Sequence, residues 1–288
     1  MSRIERVASI AGLAFAAELL LVLVLGATAV WQLDDPALRA AVPVAALASV
    51  VLLVAMLATP GSIRASWSGP LQLVAAWMVF PMFKAIAQVF VTSPADAALL
   101  ALDRRLLGGT SAPEYVLGWE QPWLSEILSA GYFSFYLMII VPAIYYGWRR
   151  RTAEARAFLF GLKLMYLAGF AGYLLVPAAG PFLAFPDAFP YPPQGGPMTA
   201  FLVAIVSEGI TGMDVFPSLH TGIALYVLGF FAQAGHRRVA WLLVPWVAAL
   251  LLATVYLRYH YGIDLVAGVV LAAAVLAITG RYREAVSP

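Results

Sequence analysis

The sequence predicts an all-α polytopic membrane helix bundle of about eight spans, and three observations lead there. Hydrophobic residues make up 63% of the 288 positions and charged residues only 11%, with a mean hydropathy of +0.89. A soluble domain is roughly half apolar and about a quarter charged. The apolar residues are gathered into stretches of the length that crosses about 30 Å of hydrocarbon, roughly 20 residues each. The segments between them carry the arginines, or are rich in proline and glycine. This composition excludes a soluble globular enzyme and a disordered chain. A formal charge of +2 is too small to predict a nucleic-acid partner, so the lipid bilayer is the expected environment. With 0 cysteines there is no disulfide framework, thiolate metal site or cysteine nucleophile.

Taken in order, the spans are expected at 7–31, 41–59, 70–92, 126–147, 157–177, 219–234, 239–257 and 263–280. The first holds Glu18 and ends in Trp31-Gln32 without a small-residue cleavage site, so it reads as a span rather than a signal peptide. The longest connections are 93–125 and 178–218. The second contains Pro181, Pro186, Pro190, Pro192, Pro193, Gly195, Gly196 and Pro197, and such a run is not expected to form a regular helix.

Eight spans place both termini on one side. That side receives Arg3, Arg6, Arg64, Arg149, Arg150, Arg151, Arg156, Arg237, Arg238, Arg281 and Arg283. The other receives Arg39, Arg104, Arg105 and Arg258. Basic residues concentrate in cytoplasmic loops. The expectation is therefore an integral protein of the bacterial inner (plasma) membrane with both termini cytoplasmic.

Of the 3 histidines, His236 sits beside Arg237 and Arg238 in a short cytoplasmic loop and reads as solvated. The other two lie in polar clusters. His260 and Asp264 are four apart, which on a helix places both side chains on one face. The carboxylate then either fixes the imidazole tautomer, freeing the second nitrogen as nucleophile or base, or simply favours the helix N-terminus. In Pro217-Ser218-Leu219-His220, Pro217 suits a helix start and Ser218 a cap. The first-turn N–H groups then either bind phosphate oxygens or are merely capped. The alternation of spans puts His220, His260, Asp264 and Arg258 at one face, the extracytoplasmic one. A polar cluster so near hydrocarbon is costly and points to function. Tyr173 precedes the long loop that opens with Gly180-Pro181 at the same face. Lys84 either reaches a phosphate there or snorkels, and Lys163 reads as an anchor.

These residues resemble the type 2 phosphatidic acid phosphatase superfamily, whose motifs include Pro-Ser-x-His and a later His-x-x-x-Asp. Phe216-Pro217-Ser218-Leu219-His220-Thr221 and His260-Tyr261-Gly262-Ile263-Asp264 match them, with one span between. Leu102-Asp103-Arg104-Arg105-Leu106-Leu107-Gly108, the Tyr173–Pro181 segment and Arg258-Tyr259-His260-Tyr261 look like the inositol phosphorylceramide synthase branch. The likeness covers about 70–280. It implies a six-helix catalytic core over 70–280, after two N-terminal helices in 1–69 and before a cytoplasmic tail at 281–288.

The superfamily's first motif, a lysine followed seven residues later by Arg-Pro, is absent. Phe182 stands where the related branch carries arginine, and Ala253-Thr254 stand where Ser-Arg is usual. The resemblance implies a phosphoenzyme: His260, oriented by Asp264, attacks a lipid phosphate and His220 protonates the leaving oxygen. Ser218 and Arg258 bind the phosphate, with Lys84, Arg104 and Arg105 in reserve and Gly180, Pro181 and Tyr173 in the substrate loop. No metal or cofactor is expected. Water as acceptor makes a phosphatase; a sugar or inositol hydroxyl makes a transferase, with transfer of inositol phosphate or a related head group to a lipid as one form. The alternatives are a lipid or solute transporter, or a catalytically impaired relative; against transport, there is no inverted repeat and few acidic residues lie within the spans.

Overall fold

The computed structural model describes residues 3–33, 36, 39–40, 42–44, 46–47, 50, 61–149 and 152–286. It is 80% helical, and no strand occurs among the described residues. The helices are α1 (Arg3–Val30), α2 (Gly61–Phe90), α3 (Asp96–Leu106), α4 (Ala112–Val116), α5 (Pro122–Trp148) and α6 (Ala153–Leu175). They continue with α7 (Pro181–Ala184), α8 (Pro197–Gly209), α9 (Leu219–Gln233), α10 (Arg237–Tyr256) and α11 (Gly262–Val286). Six are long and apolar enough to cross a membrane: α1, α2, α5, α6, α10 and α11. They coincide with six of the expected spans, and the protein is an integral membrane protein. The expected span at 219–234 is α9, at 15 residues shorter than a full crossing. The expected span at 41–59 lies largely outside the described residues.

Both long connections contain helix that the sequence reading did not expect. Residues 93–125 hold α3 and α4, and 178–218 hold α7 and α8. Pro197 does not obstruct α8 because it opens the helix, where its missing N–H has no intrahelical partner to lose. Glu126 from α5 completes the cap, accepting from the N–H groups of Gly196 (2.9 Å), Met198 (3.0 Å) and Thr199 (2.8 Å) and from the Thr199 hydroxyl (2.7 Å). A carboxylate at that end is favoured by the helix dipole, which gives the acidic residue of α5 a structural purpose.

The chain divides into two units, residues 1–92, 140–171 and 273–288, and residues 93–139 and 172–272. In the first, α1 packs on α2. Gly26 makes room for Met82, whose Sδ lies 2.7 Å from where a Cβ would sit. Phe83 and Phe170 pack with ring centroids 4.9 Å apart. The outer faces of α1 stay apolar, with Ile10 65% and Leu13 70% exposed, as lipid contact requires.

In the second unit α9 packs on α10. Part of α5 approaches α10 so closely that a Cβ on Gly131 would lie 2.7 Å from the Ala249 Cβ. Ser125 and Tyr256 share a buried hydroxyl pair at 2.9 Å. The turn after α10 is drawn back by one acceptor: the Thr254 carbonyl takes the N–H groups of both Tyr259 and His260 at 3.0 Å. That turn, the first turn of α9 and the first turn of α11 together carry a cluster of polar residues.

Candidate active site

Ser218 caps α9. Its hydroxyl accepts from the Thr221 N–H at 3.3 Å, and caps of this kind are worth about 1 kcal/mol. Its own N–H donates to the Asp264 carbonyl at 3.1 Å, which ties the start of α9 to the first turn of α11. Gly268 permits that approach, since a Cβ there would meet the Ser218 carbonyl at 2.6 Å. Gly172 serves the same junction, a Cβ on it falling 2.2 Å from Pro217 Cδ.

His260 is not on the helix face that its spacing predicts. It lies two residues before α11, in the turn. The contact with Asp264 forms because Asp264, in the first turn of α11, folds back: Oδ2 accepts the Tyr261 N–H at 2.8 Å and faces His260 Nδ1 at 3.4 Å. The other nitrogen, Nε2, lies 3.3 Å from Ser218 Oγ and 3.3 Å from His220 Nδ1. On its far side His220 presents Nε2 to the Tyr132 hydroxyl at 2.8 Å. Ser218 and Asp264 are completely buried and His260 is 2% exposed. Thr221 Oγ1 and Asp264 Oδ1 are buried without a hydrogen-bond partner among the described residues.

Two carboxylates from α3 hold this cluster. Asp103 accepts from the N–H groups of Gly262 (3.1 Å), Ile263 (2.9 Å) and Ala112 (2.8 Å). It thereby satisfies the otherwise unpaired start of α11. Asp96 accepts from the N–H groups of Ala179 (2.9 Å) and Gly180 (2.8 Å) and from the Tyr261 hydroxyl (2.9 Å). Gly180 adopts φ 90°, and a Cβ on it would lie 2.5 Å from the Tyr259 carbonyl, so only glycine fits.

Arg258 is 2% exposed and has the only positive φ of a non-glycine residue among the described ones, 64°. Its Nη2 donates to Glu120 at 3.2 Å, and its Nε is buried without a partner among the described residues. Strained backbone of this sort costs about 1–3 kcal/mol and gathers at functional sites.

The other anticipated residues are placed as follows. Arg104 is exposed and ion-paired with Glu114, and Arg105 is exposed. Tyr173 is buried, and Pro181 opens α7. Lys84 lies half-buried on α2 in the first unit. Sequence reasoning missed Tyr132, Glu120 and Asp96 as parts of the cluster. Asp103 stood in a segment singled out for its resemblance, which was the available signal.

Outside the spans, electrostatics bear on the frame. The Arg104 guanidinium, with the Ser111 hydroxyl and N–H, lowers the Glu114 carboxyl to about 2. Burial raises the Asp214 carboxyl above its ordinary range, against the Thr211 hydroxyl. Burial likewise raises the Tyr259 phenol. No group of three or more His, Asp or Glu side chains among the described residues is placed to hold a metal ion.

An imidazole oriented by a carboxylate and a second imidazole at hydrogen-bond range can form and cleave a bond to phosphorus. A model of the PAP2 superfamily matches residues 97–278, which contain Ser218, His220, His260 and Asp264. This chain belongs to the PAP2 superfamily. Membership supports a phosphatase-like function on lipid phosphates. No curated protein and no solved structure matches the chain. In this PAP2 protein the residues at the two matching motifs, Pro217-Ser218-x-His220 and His260-x-x-x-Asp264, are those the fold brings into contact.

Proposed function

We propose that the protein is a lipid phosphate phosphatase or phosphotransferase working through a phosphohistidine. The supporting observation is the Ser218–His220–His260–Asp264 cluster, buried except for a half-buried His220, with its 3.3 Å and 3.4 Å contacts. Asp264 keeps the proton of His260 on Nδ1, so the lone pair of Nε2 attacks phosphorus. As the N–P bond forms, the bond from phosphorus to the lipid oxygen breaks, and His220 gives that oxygen its Nδ1 proton. The acceptor hydroxyl then attacks phosphorus, His220 takes its proton back, and His260 is released. Ser218, the leading N–H groups of α9 and Arg258 stabilise the equatorial oxygens. Positioning and electrostatics supply most of the rate in such reactions.

In this reading the site faces the extracytoplasmic side of a bacterial inner membrane, with both termini cytoplasmic, as the distribution of arginines supports. The acceptor is water or a hydroxyl of an inositol-like head group. The likeness around Asp103 and Arg258–Tyr261 favours transfer, and Phe182 in place of arginine favours water. The test is purified protein with a phosphatidate in mixed micelles, with and without inositol. Wild type releases phosphate or labels inositol, and His260→Ala does neither. Equal turnover by both proteins overturns the reading. Uptake without turnover, surviving His220→Ala, establishes a transporter instead.

A further inference from the structure

The geometry points to Tyr132 as a positioning residue that fixes the tautomer of His220 and so loads the acid of the reaction. This inference rests on the reading of His220 as that acid. The protons of the cluster follow from one end. Asp264 Oδ2 already accepts the Tyr261 N–H, so it is an acceptor toward His260 Nδ1 as well. His260 therefore carries its proton on Nδ1, and its Nε2 is an acceptor. Two groups face that nitrogen, Ser218 Oγ and His220 Nδ1, both at 3.3 Å. Two acceptor nitrogens facing each other at that range repel, so His220 Nδ1 bears a proton. A neutral His220 then has its lone pair on Nε2, and the group in front of it is the Tyr132 hydroxyl at 2.8 Å, which donates.

The order Asp264, His260, His220, Tyr132 thus has a single direction. Tyr132 never touches phosphorus. By donating to Nε2 it keeps the imidazole proton on the nitrogen that faces the nucleophile, where the leaving oxygen is met; as that proton leaves Nδ1, the phenol proton passes to Nε2, so the ring stays neutral. The tyrosine is itself held. It sits next to Gly131, where α5 presses on α10, and it is 3% exposed. Its ring packs on His220 with centroids 4.8 Å apart and on Tyr259 at 5.0 Å. When His220 takes the acceptor's proton on Nδ1 in the second half of the reaction, the Nε2 proton goes back to Tyr132 and the same tautomer is restored.

Two measurements test this. The chain has 3 histidines, so nitrogen NMR of ¹⁵N-histidine-labelled full-length protein resolves each ring, with His220 assigned by its loss in His220→Gln. The expected result is the Nδ1–H form at His220 in wild type and a mixed or Nε2–H population in Tyr132→Phe. An Nε2–H form in wild type overturns the inference whether or not the variant folds. The second measurement is turnover. Tyr132→Phe is expected to slow cleavage of a phosphatidate, whose alkoxide needs a proton, by about 10-fold or more. Cleavage of p-nitrophenyl phosphate, whose leaving group needs none, stays within about 3-fold of wild type. Equal losses on both substrates overturn the inference. Wild type that cleaves neither phosphate sinks the enzymatic reading alone, and the tautomer then decides the placement of Tyr132.

Discussion

The guanidinium of Arg258 donates to the Glu120 carboxylate at 3.2 Å, across 138 positions of sequence, while its own backbone sits at φ 64°. The arginine is nearly inaccessible and the glutamate is not, with side-chain exposures of 3% and 32%. The unpartnered Nε leaves this guanidinium with a donor to spare.

Arg258→Gly is therefore expected to keep the fold and lose the chemistry. Glycine accepts φ 64° without strain, and Glu120 regains water. Turnover of a lipid phosphate falls about 100-fold, the usual effect of removing one charge-stabilising donor, and the melting temperature moves little. Glu120→Gln is the more destabilising of the two, because it leaves a buried guanidinium without its carboxylate. Thermal melts in detergent set the order, and the reverse order refutes this account.

Covalent chemistry is expected at His260. Wild type quenched during turnover of a ³²P-labelled phosphatidate should carry acid-labile, alkali-stable phosphate on the peptide containing His260. Asp264→Asn should cut the rate of labelling at least about 10-fold through loss of imidazole orientation. Label that survives acid, or maps to Ser218, contradicts the assignment.

Gly268→Ala should separate α11 from the cap of α9. The new methyl would lie 2.6 Å from the Ser218 carbonyl and 3.0 Å from the Thr221 Cβ. Overpacking of this kind costs about 1–3 kcal/mol, and turnover should fall more than the stability does. Gly118→Ala, with nothing within 4 Å, is the neutral control. Equal effects from the two substitutions exclude the close approach as the cause.

Glu114 gives a pH dependence. Its carboxyl is lowered from 4.5 to about 2 in the folded protein, chiefly by Arg104. A lowered acid stabilises the fold above its ordinary value, and that contribution is lost as the pH falls from about 4.5 toward about 2. The melting-temperature gap between wild type and Glu114→Gln should be constant from pH 8 to about 6 and shrink below about 4.5. A gap that widens in acid has the wrong sign. The pair is exposed on the Arg104 side, so high salt should also narrow it.

Six of the spans and the grouping of the cluster were legible in the sequence for a physical reason. Hydrocarbon thickness fixes span length, and alternation of spans fixes which motifs share a face. Ser218, His220, His260 and Asp264 could thus be grouped before any coordinate was known. The secondary structure under His260 was not legible, because the four-residue spacing suits a helix as well as a carboxylate folding back over a turn. Pro197 concealed α8, since a proline opening a helix and a proline within a loop read alike. Tyr132 stands among Phe133, Phe135 and Tyr136, and nothing local singles it out. Asp96, Asp103 and Glu120 each act through at least one partner 83 to 165 positions away, and no periodicity reports such distances.

The reach of Asp103 also sets an order of events during synthesis. It is translated 159 residues before Gly262, whose amide it receives. Until the ribosome has delivered α11, that carboxylate has only the Ala112 amide, and Asp96 lacks the Tyr261 phenol. A nascent chain halted short of α11 thus carries two acidic groups short of their donors, and the proposed site closes only once α11 is in place.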